Sequence, residues 1–559
     1  MSDSATKTTT TTTTVSAPGK ILLAGGYLVL ERPNAGLVIA ADKRFYTTVE
    51  STTAAATTTA IETTDSNSSS SSRSKDDKAQ QPMTIFVKSP QFHATWEYNW
   101  EPTTTTTNNN NNNSWWLIPS SENESTNSFV EKTLRVCLLY LIGSRRQPSP
   151  TPSRLEITIY ADNDFYSLLP HLDDDDRTIS AVQRLGKFLP CPKDKTTGKT
   201  IINKTGLGSS AALTTSLVGA LVYHFASLFS NVDDDNNNTN NNNSNTNNNS
   251  TIDMTNKIHN LAQLCHCFAQ GKVGSGFDVS SAIHGTHIYR RFPKCLLPDV
   301  LQQLERLEEL QQQRQRQGTE PQPMSSSSSS SSSLLLLETL TNVIEKTPWS
   351  DDMVTNLTLP SSKHLQIVCA DVCGGSESPS MARKVLKWKQ EQILLLQRQS
   401  STTTDDKGKI PYWDDLKELN AKIMELMQSL VTSVPEEDYD NLSQLPATQW
   451  PENHPLKALH QTFQQIRSNL KALGAACGNL PIEPSEQTKL CDATQAIPGV
   501  VAAVVPGAGG YDAIAVLYIP RPSVVQGIET LWKSWTQPTI CPLGVQLSTD
   551  GISVKQNVS

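Results

Sequence analysis

Long runs of one or two polar residue types interrupt this chain and limit how much of it can form a packed core. In a chain of 559 residues, five tracts consist almost entirely of Thr, Ser or Asn. Such tracts bury too little apolar surface to offset the loss of chain entropy, so we predict that they are disordered. They are Thr8–Thr14, Ser66–Ser74, Thr103–Asn113, Asn236–Asn249 and Ser325–Ser333.

Charge and cysteine content exclude several classes of function. The formal net charge is -8, whereas nucleic-acid binding selects for clustered positive charge, so no nucleic-acid partner is expected. The 10 cysteines include no C-x-x-C pair, which favours reduced, buried thiols over a metal site. The N-terminus has no apolar signal segment, and no uncharged apolar stretch approaches the roughly 18 to 20 residues of a membrane span. We therefore expect a soluble, cytoplasmic protein without a membrane partner.

Apolar periodicity between the polar tracts predicts alternating strands and helices. Val15–Ala41 has the Gly and Pro punctuation of a short β meander, and Asn127 and Ser128 can cap the helix that follows them. The predicted strands are Leu155–Tyr160, Leu365–Ala370, Val500–Val505 and Ala513–Leu517. The predicted helices are Phe129–Ile142, Leu213–Leu228, Asn256–Ala269, Ser380–Gln397, Trp413–Ser433 and Lys457–Leu473.

A glycine- and serine-rich loop, Lys204–Ala212, runs directly into the helix Leu213–Leu228. Exposed backbone N–H groups and the positive end of the helix dipole together bind phosphate at such a position. The hydroxyls of Ser209 and Ser210 can add hydrogen bonds or ligate Mg²⁺, a cation that prefers oxygen ligands. The alternative is an ordinary glycine turn before a helix.

The same loop also satisfies G-x-G-x-x-A, a loose dinucleotide fingerprint, but it is not a Walker A loop. A dinucleotide site requires an acidic residue about 20 positions further on at a strand end. The candidates, Asp233–Asp235, adjoin the predicted disordered Asn tract. An NAD(P)-dependent oxidoreductase stays as the alternative, and NAD(P) binding would test it.

Three separated segments resemble, in order, the three signature motifs of GHMP kinases: Ser16–Leu30, Lys204–Ala212 and Val504–Ala513. Most members of that superfamily carry an acidic residue where this chain has Gly26, and the Ala-Gly-Gly-Tyr-Leu-Val-Leu form resembles the eukaryotic phosphomevalonate kinase family. Further segments similar to that family are Asn127–Lys132, Ala161–Phe165, Ala269–Asp278, Gly374–Ser378 and Leu480–Pro484.

The resemblance implies an α/β fold of two domains with the active site in the cleft between them. The N-terminal domain would be a ribosomal-S5-like nucleotide-binding domain and the C-terminal domain ferredoxin-like. We expect a disordered tail at 1–14 and the N-terminal domain at 15–292, with disordered insertions near 51–81, 103–125 and 231–255. A low-complexity insertion would occupy 293–350, with a Gln/Glu/Arg-rich helix and a leucine cluster, and the C-terminal domain 351–559.

The resemblance further implies transfer of the γ-phosphoryl group of ATP to 5-phosphomevalonate, with Mg²⁺ as cofactor, by a monomer or weak homodimer. Lys20 and Asp278 match the family's catalytic pair. The nucleotide would be bound by Lys204, Gly206, Leu207, Gly208, Ser209, Ser210 and Ala211. The acceptor would be bound by Lys272, Ser275, Arg290, Ser376, Arg383 and Gly509, and Arg291 is a further candidate.

Several questions stay open from the sequence. A mevalonate kinase or a catalytically silent GHMP-fold binding protein remains an alternative. Asp278 could act as a general base or could orient Lys20, and an acceptor phosphate with a second pKa of about 6 lessens the need for a strong base. His259, His266, His284 and His287 lack a third ligand at metal spacing, so they are interpreted as core or surface histidines.

Overall fold

The computed structural model describes residues 8–54, 82–107, 110–143, 152–233, 247–317, 328–372, 378–399 and 408–558. Within these ranges the strands are β1 Thr8–Ala24, β2 Ala35–Ala54, β3 Met83–Ser89, β4 Ala94–Thr107, β5 Asn110–Pro119, β6 Arg154–Ala161, β7 His287–Arg290, β8 Val354–Asn356, β9 Gln366–Asp371, β10 Val500–Val504, β11 Ala513–Tyr518, β12 Cys541–Leu543, β13 Leu547–Ser548 and β14 Ser553–Val558.

The helices of the same ranges are α1 Ser128–Leu138, α2 Ile179–Arg184, α3 Ser209–Asp233, α4 Asn247–Gln270, α5 Phe277–His284, α6 Pro298–Gln317, α7 Ser328–Thr341, α8 Ser378–Gln399, α9 Trp413–Ser433, α10 Glu436–Leu442, α11 Pro455–Ala476, α12 Ser485–Gln495 and α13 Pro522–Ser534. The predicted α/β fold class is confirmed. Asn127 caps α1 as predicted, since its side chain accepts hydrogen bonds from the amides of Phe129 and Val130.

Two sheets organise the described chain. The first has the strand order β14-β1-β2-β6-β3-β4-β5, with β7 and β13 on β2 and β8 on β7. Helices α1, α3, α4 and α5 pack together in a layer, with α3 and α5 against β1 and β2. The second sheet is antiparallel, in the order β10-β11-β9-β12, and α11 and α12 pack on it. Its three longer strands are buried along their whole length, which explains their continuous apolar sequences.

Helix α3 satisfies the length and hydropathy of a membrane span between Ser209 and Leu228. However, 83% of that window is buried inside the protein, against the first sheet and the neighbouring helices. An apolar helix surrounded by protein is the core helix of a packed domain. Its apolar sequence is therefore explained by the fold.

Residues 8–14 of the tail predicted to be disordered are instead the beginning of β1, so that prediction is wrong there, while residues 1–7 lie outside the described residues. Thr11 pairs with Ser51 of β2 and with Val558 of β14. Thr11 and Thr13 are buried, and their alternation with more exposed neighbours follows the period of a strand. Threonine is β-branched and favours strands, so a polar run of this composition can pair where partners are available.

The other polar tracts have different outcomes. Thr103–Asn113 was also predicted to be disordered, but its described residues belong to β4 and β5, which pair with each other from Tyr98 to Thr107, so this prediction is wrong there. Most of 51–81 and the centre of 231–255 lie outside the described residues, while β2, α3 and α4 extend into their edges. The described part of Ser325–Ser333 begins α7.

The segment 293–350, predicted to be a low-complexity insertion, contributes to the core. The predicted Gln/Glu/Arg-rich helix is α6, and Val300, Leu304 and Leu340 are fully buried. Gln311 of α6 is buried and hydrogen-bonded to Arg135 and to the carbonyl of Leu117. Strands β8, β13 and β14 follow this segment and belong to the first sheet, so it does not separate the two sheets.

Two buried histidines, His259 and His287, and the partly buried His284 lie together where α4 and α5 meet the first sheet. The ring centroids of His259 and His284 are 5.4 Å apart, and those of His284 and His287 are 6.0 Å apart. Burial lowers the pKa of all three, to about 4 for His259 and His287. The interpretation as core histidines agrees with the burial of His259 and His287, whereas His284 lies at the edge of the core.

These histidines predict acid sensitivity of the fold. Their pKa values are about 6.5 in an unfolded chain, so the unfolded state binds more protons than the folded state between about pH 6.5 and pH 4. The free energy of unfolding should be highest above pH 6.5 and fall as the pH drops. Urea unfolding of the wild type and of His284→Phe at pH 7, 6 and 5 measures this.

The replacement removes one proton site, and Nε2 of His284 has no hydrogen-bond partner among the described residues. We expect the pH slope of His284→Phe to be shallower by up to about 1.4 kcal/mol per pH unit. Identical slopes for the two proteins would contradict this account.

Candidate active site

A cleft of about 1220 Å³ lies where the two sheets meet. Four loops and strand ends contribute to it: the end of β1, the loop before α3, the connection between α4 and α5, and the turn between β10 and β11. Three of these carry the sequence motifs identified above. The fold therefore brings residues from positions 20, 206, 278 and 509 into one cavity.

The loop before α3 has the geometry that its glycines predict. Gly206 and Gly208 have φ values of +80° and +79°, which L side chains rarely adopt. The first α-helical hydrogen bond joins the amide of Ala212 to the carbonyl of Gly208, at 3.1 Å. The amides of Ser209, Ser210 and Ala211 come before that bond and belong to the free N-terminal turn of the helix.

Six of the seven predicted nucleotide-binding residues line the cleft. Lys204, Gly206, Leu207, Gly208, Ser209 and Ser210 all line it. Ala211 does not, because its side chain is buried in the core, so only its backbone amide is suited to the predicted role. The Ser209 side chain is buried beside the hydroxyl of Tyr166. Ser210 is less buried, and its hydroxyl lies 3.1 Å from Nε2 of His266.

Lys20 connects the end of β1 to this loop. Its amide donates to the carbonyl of Leu207 at 2.9 Å, and its Nζ donates to the carbonyl of Gly206 at 2.7 Å. Burial lowers the pKa of Lys20, while Asp278 and Asp512 act in the opposite direction. The ammonium group thus lies at the head of the phosphate-binding loop, close to two carboxylates.

Asp278 stands in the first turn of α5. The turn before it depends on Gly276, whose φ is +86° and where a Cβ atom would approach Phe292 and Tyr289 to 2.6 and 2.8 Å. One carboxylate oxygen accepts from the amide of Val279 at 3.0 Å. The other lies 3.9 Å from Nε2 of His266, which is beyond hydrogen-bond distance. Asp278 therefore presents one oxygen to the cleft.

His266 was missed as a site residue, because it was interpreted as a core or surface histidine. It is buried, yet it lines the cleft between Ser210 and Asp278. Burial lowers the pKa of His266, against the raising effect of the Asp278 carboxylate. Its position near the end of α4, just before the loop to Asp278, was the available signal.

Two carboxylates of the second sheet were also missed. Asp371, at the end of β9, and Asp512, just before β11, both line the cleft. Asp512 lies close enough to Lys20 to affect its pKa. Its signal was present in the sequence, since it belongs to the third motif.

On the acceptor side, the structure brings together four of the six predicted residues. Lys272, Ser275, Arg383 and Gly509 line the cleft. Arg290 is not among the residues that line it: its guanidinium lies 3.3 Å from the hydroxyl of Thr355 on β8, so its predicted contact with the acceptor is not supported. Ser376 lies outside the described residues.

Arg291 and Lys294 also reach the cleft. The guanidinium of Arg291 donates to the carbonyls of Leu30, at 2.6 Å, Val273, at 3.1 Å, and Gly274. It thus fixes the α4–α5 connection to the segment after β1. These carbonyl contacts make Arg291 a structural cation, whereas Lys294 extends its exposed side chain at the mouth of the cleft.

The turn between β10 and β11 closes the cleft from the second sheet. The amide of Gly507 donates to the carbonyl of Leu22 at 3.1 Å, and the Tyr27 hydroxyl donates to the carbonyl of Ala508 at 2.5 Å. Gly509 has a φ of +82°, and a Cβ atom there would collide with the carbonyl of Ile482. The first and third motifs are therefore bonded to each other.

Free amides at a helix N-terminus, a lysine beside them and an aspartate opposite lie in one cleft between two sheets, which is the arrangement of a small-molecule kinase of the GHMP class. The chain belongs to the phosphomevalonate kinase family. It is 30% identical over 529 residues to the phosphomevalonate kinase of Aspergillus fumigatus, covering 93% of this chain and 90% of the relative. The corresponding values for the Candida albicans enzyme are 32% over 506 residues, 90% and 89%.

A peroxisomal phosphomevalonate kinase of Arabidopsis thaliana is 27% identical over 570 residues, covering 97% of this chain and 95% of the relative. No family model matches the chain. Among solved structures, a Streptococcus pneumoniae phosphomevalonate kinase in complex with phosphomevalonate and AMPPNP aligns with a TM-score of 0.45 and 13% identity, over 97% of this chain and 99% of that one. This structural likeness is too distant to define the site.

Two glycines of the turn between β10 and β11 make a matched test of its packing. Gly507 and Gly509 both have positive φ, so alanine at either position is strained by about 1 to 2 kcal/mol. Only at Gly509 would the new Cβ also collide with a backbone atom, since nothing lies within 4 Å of a Cβ at Gly507. We expect Gly509→Ala to lower the free energy of urea unfolding clearly more than Gly507→Ala; equal losses would show that the turn does not depend on this contact.

Proposed function

We propose that this cleft transfers the γ-phosphoryl group of ATP to the phosphate of (R)-5-phosphomevalonate, giving 5-diphosphomevalonate and ADP. The observation that supports this most strongly is the position of Lys20. Its Nζ lies on the phosphate-binding loop, 2.7 Å from the carbonyl of Gly206, and faces Asp278 across the cleft. A cation at that point can contact two phosphate groups at once.

We assign the nucleotide phosphates to the loop 204–211. Backbone amides at the head of α3 bind anions through hydrogen bonds and the helix dipole. Lys204 adds a positive charge at the edge of the same loop. Because Ser209 is buried, Ser210 is the serine whose hydroxyl is more accessible from the cleft.

We assign the acceptor to the opposite side of the cleft. Lys272 and Arg383 supply positive charge there, and Ser275 and Gly509 shape the wall. The acceptor is itself an anion, so its approach to the γ-phosphate is opposed by repulsion. Cations that neutralise this charge, and loops that align the two groups, supply most of the catalysis of a phosphoryl transfer.

We assign to Asp278 the orientation of Lys20 rather than the removal of a proton. A phosphate acceptor with a second pKa of about 6 is largely ionised at neutral pH, so it needs no strong base. The raising effect of Asp278 on the pKa of Lys20 supports this role, because it shows that the carboxylate favours the charged lysine.

Mg²⁺ is the metal that we propose for this site. Within the residues that the structure describes, no three His, Cys, Asp or Glu side chains cluster as metal ligands. A site with few protein ligands is suited to Mg²⁺, which is usually held by one or two protein oxygens together with phosphates and water. Ser210 is the residue that would hold it, and when bound it would neutralise phosphate charge.

The cellular location and the oligomeric state are proposed from the sequence alone. We propose a cytoplasmic enzyme that is a monomer or weak homodimer. The relative from Arabidopsis thaliana is named as peroxisomal. Fractionation and sedimentation of the full chain would test these two points.

The two catalytic candidates predict different kinetic losses. If Lys20 neutralises the phosphates and Asp278 orients it, Lys20→Met should lower kcat by several orders of magnitude, whereas Asp278→Asn should cost clearly less. Lys88→Met is the matched control, since Lys88 is an exposed lysine paired with Glu156 on the first sheet. Equal collapse of the Lys20 and Asp278 variants would favour base catalysis by Asp278.

A product assay tests the activity itself. ADP and 5-diphosphomevalonate should accumulate with phosphomevalonate as acceptor, and mevalonate should give little product because it lacks the phosphate that the cleft's cations bind. Chelation by EDTA should abolish turnover, and added Mg²⁺ should restore it. Turnover of mevalonate alone, or no product with either acceptor, would refute the proposed function.

A further inference from the structure

His266 is a buried polar side chain in the cleft, and the roles above assign it nothing. Its Nε2 lies 3.1 Å from the Ser210 hydroxyl and 3.1 Å from Nε2 of Gln270, one turn later on α4. Its ring packs against Phe129, with centroids 5.6 Å apart. The residue is 2% exposed, so its contacts are made almost entirely within the protein.

The neighbours of Nε2 define its hydrogen-bonding role. Gln270 presents an amide nitrogen, which can only donate; the tautomer that this contact favours has Nε2 as the acceptor and the ring proton on Nδ1. Ser210 donates its hydroxyl hydrogen to the same Nε2, so Gln270 and Ser210 share its one lone pair. With the hydrogen directed toward His266, the oxygen lone pairs of Ser210 are directed away from it.

We infer that His266 is a positioning residue of the kinase: its Nε2 holds the Ser210 hydroxyl hydrogen, so that the oxygen of Ser210 is presented to the ligand in the cleft as an acceptor. The ligand class is a nucleotide triphosphate carrying a divalent cation, because an oxygen lone pair attracts a cation and repels a phosphate. This inference rests on the proposed function of the cleft.

The same geometry leaves Asp278 available. At 3.9 Å, Nε2 is too distant to hydrogen-bond the Asp278 carboxylate, and an acceptor nitrogen has no proton to give it. His266 therefore lies between the Ser210 hydroxyl and the Asp278 carboxylate, and it hydrogen-bonds only to the hydroxyl. A leucine or phenylalanine at this position would fill the space without orienting either.

The test is a double-mutant cycle in the full chain. His266→Phe removes the acceptor but keeps a ring against Phe129, and Ser210→Ala removes the group that it holds. We expect His266→Phe to lower kcat by about 10- to 100-fold, the usual cost of removing a group that orients a ligand, with little change in the KM for phosphomevalonate. In the Ser210→Ala background the same replacement should add almost nothing, because the two residues act as one unit.

Rescue and binding distinguish positioning from general packing. The Oε1 of His266→Gln can accept the same hydrogen bond, so this variant should recover most of the lost kcat. Calorimetry with the non-hydrolysable analogue AMPPNP should show weaker binding by His266→Phe when Mg²⁺ is present and unchanged binding with EDTA. His259→Phe, another buried histidine of α4, is the matched control and should change unfolding without this Mg²⁺-specific loss.

The inference is overturned if His266→Phe keeps the wild-type kcat, if its effect multiplies with that of Ser210→Ala, or if Gln fails to rescue a folded variant. Failure of the proposed function has a different signature. In that case the wild type itself makes no product with phosphomevalonate.

Discussion

The structure depends on the attachment of Lys20 to the loop before α3. Two hydrogen bonds, from the Lys20 amide to Leu207 and from its Nζ to Gly206, join the first strand of the chain to a loop nearly 190 residues later. The aliphatic part of Lys20 packs where a side chain at Gly208 would lie, since a Cβ atom at that glycine would stand 3.1 Å from Cγ of Lys20. The absence of a side chain at Gly208 therefore leaves room for Lys20, whose charge then lies beside the amides that we propose bind phosphate.

The second sheet is attached to this centre by a few backbone contacts. Gly507 donates to Leu22, and Gly544 donates to the Asp164 carboxylate at 2.5 Å. Burial raises the pKa of Asp164 to about 6. These contacts connect the second sheet to the first strand and to the turn after β6, on either side of Lys20. The cleft lies where the two sheets meet, above a core to which both contribute buried residues.

The sequence was most informative where structure is local. Helix Trp413–Ser433 was predicted to the residue, because its apolar period and its boundaries lie within one segment. The prediction for the Thr-rich start of β1 was wrong, since its order comes from pairing with strands at 51 and 558. The site shows the same contrast. Arg290 and Arg291 are adjacent, yet they face opposite sides of the chain, and His266 acquires its role only from a serine on another helix.

The central claim is that the amides at the head of α3 hold the triphosphate and that Lys20 spans it to the acceptor. The most direct measurement is a crystal structure of the full chain with AMPPNP, Mg²⁺ and phosphomevalonate. We expect the β- and γ-phosphates against Gly206–Ser210, with Nζ of Lys20 between the γ-phosphate and the acceptor phosphate. A triphosphate bound elsewhere, or Lys20 turned away from both phosphates, would contradict this claim.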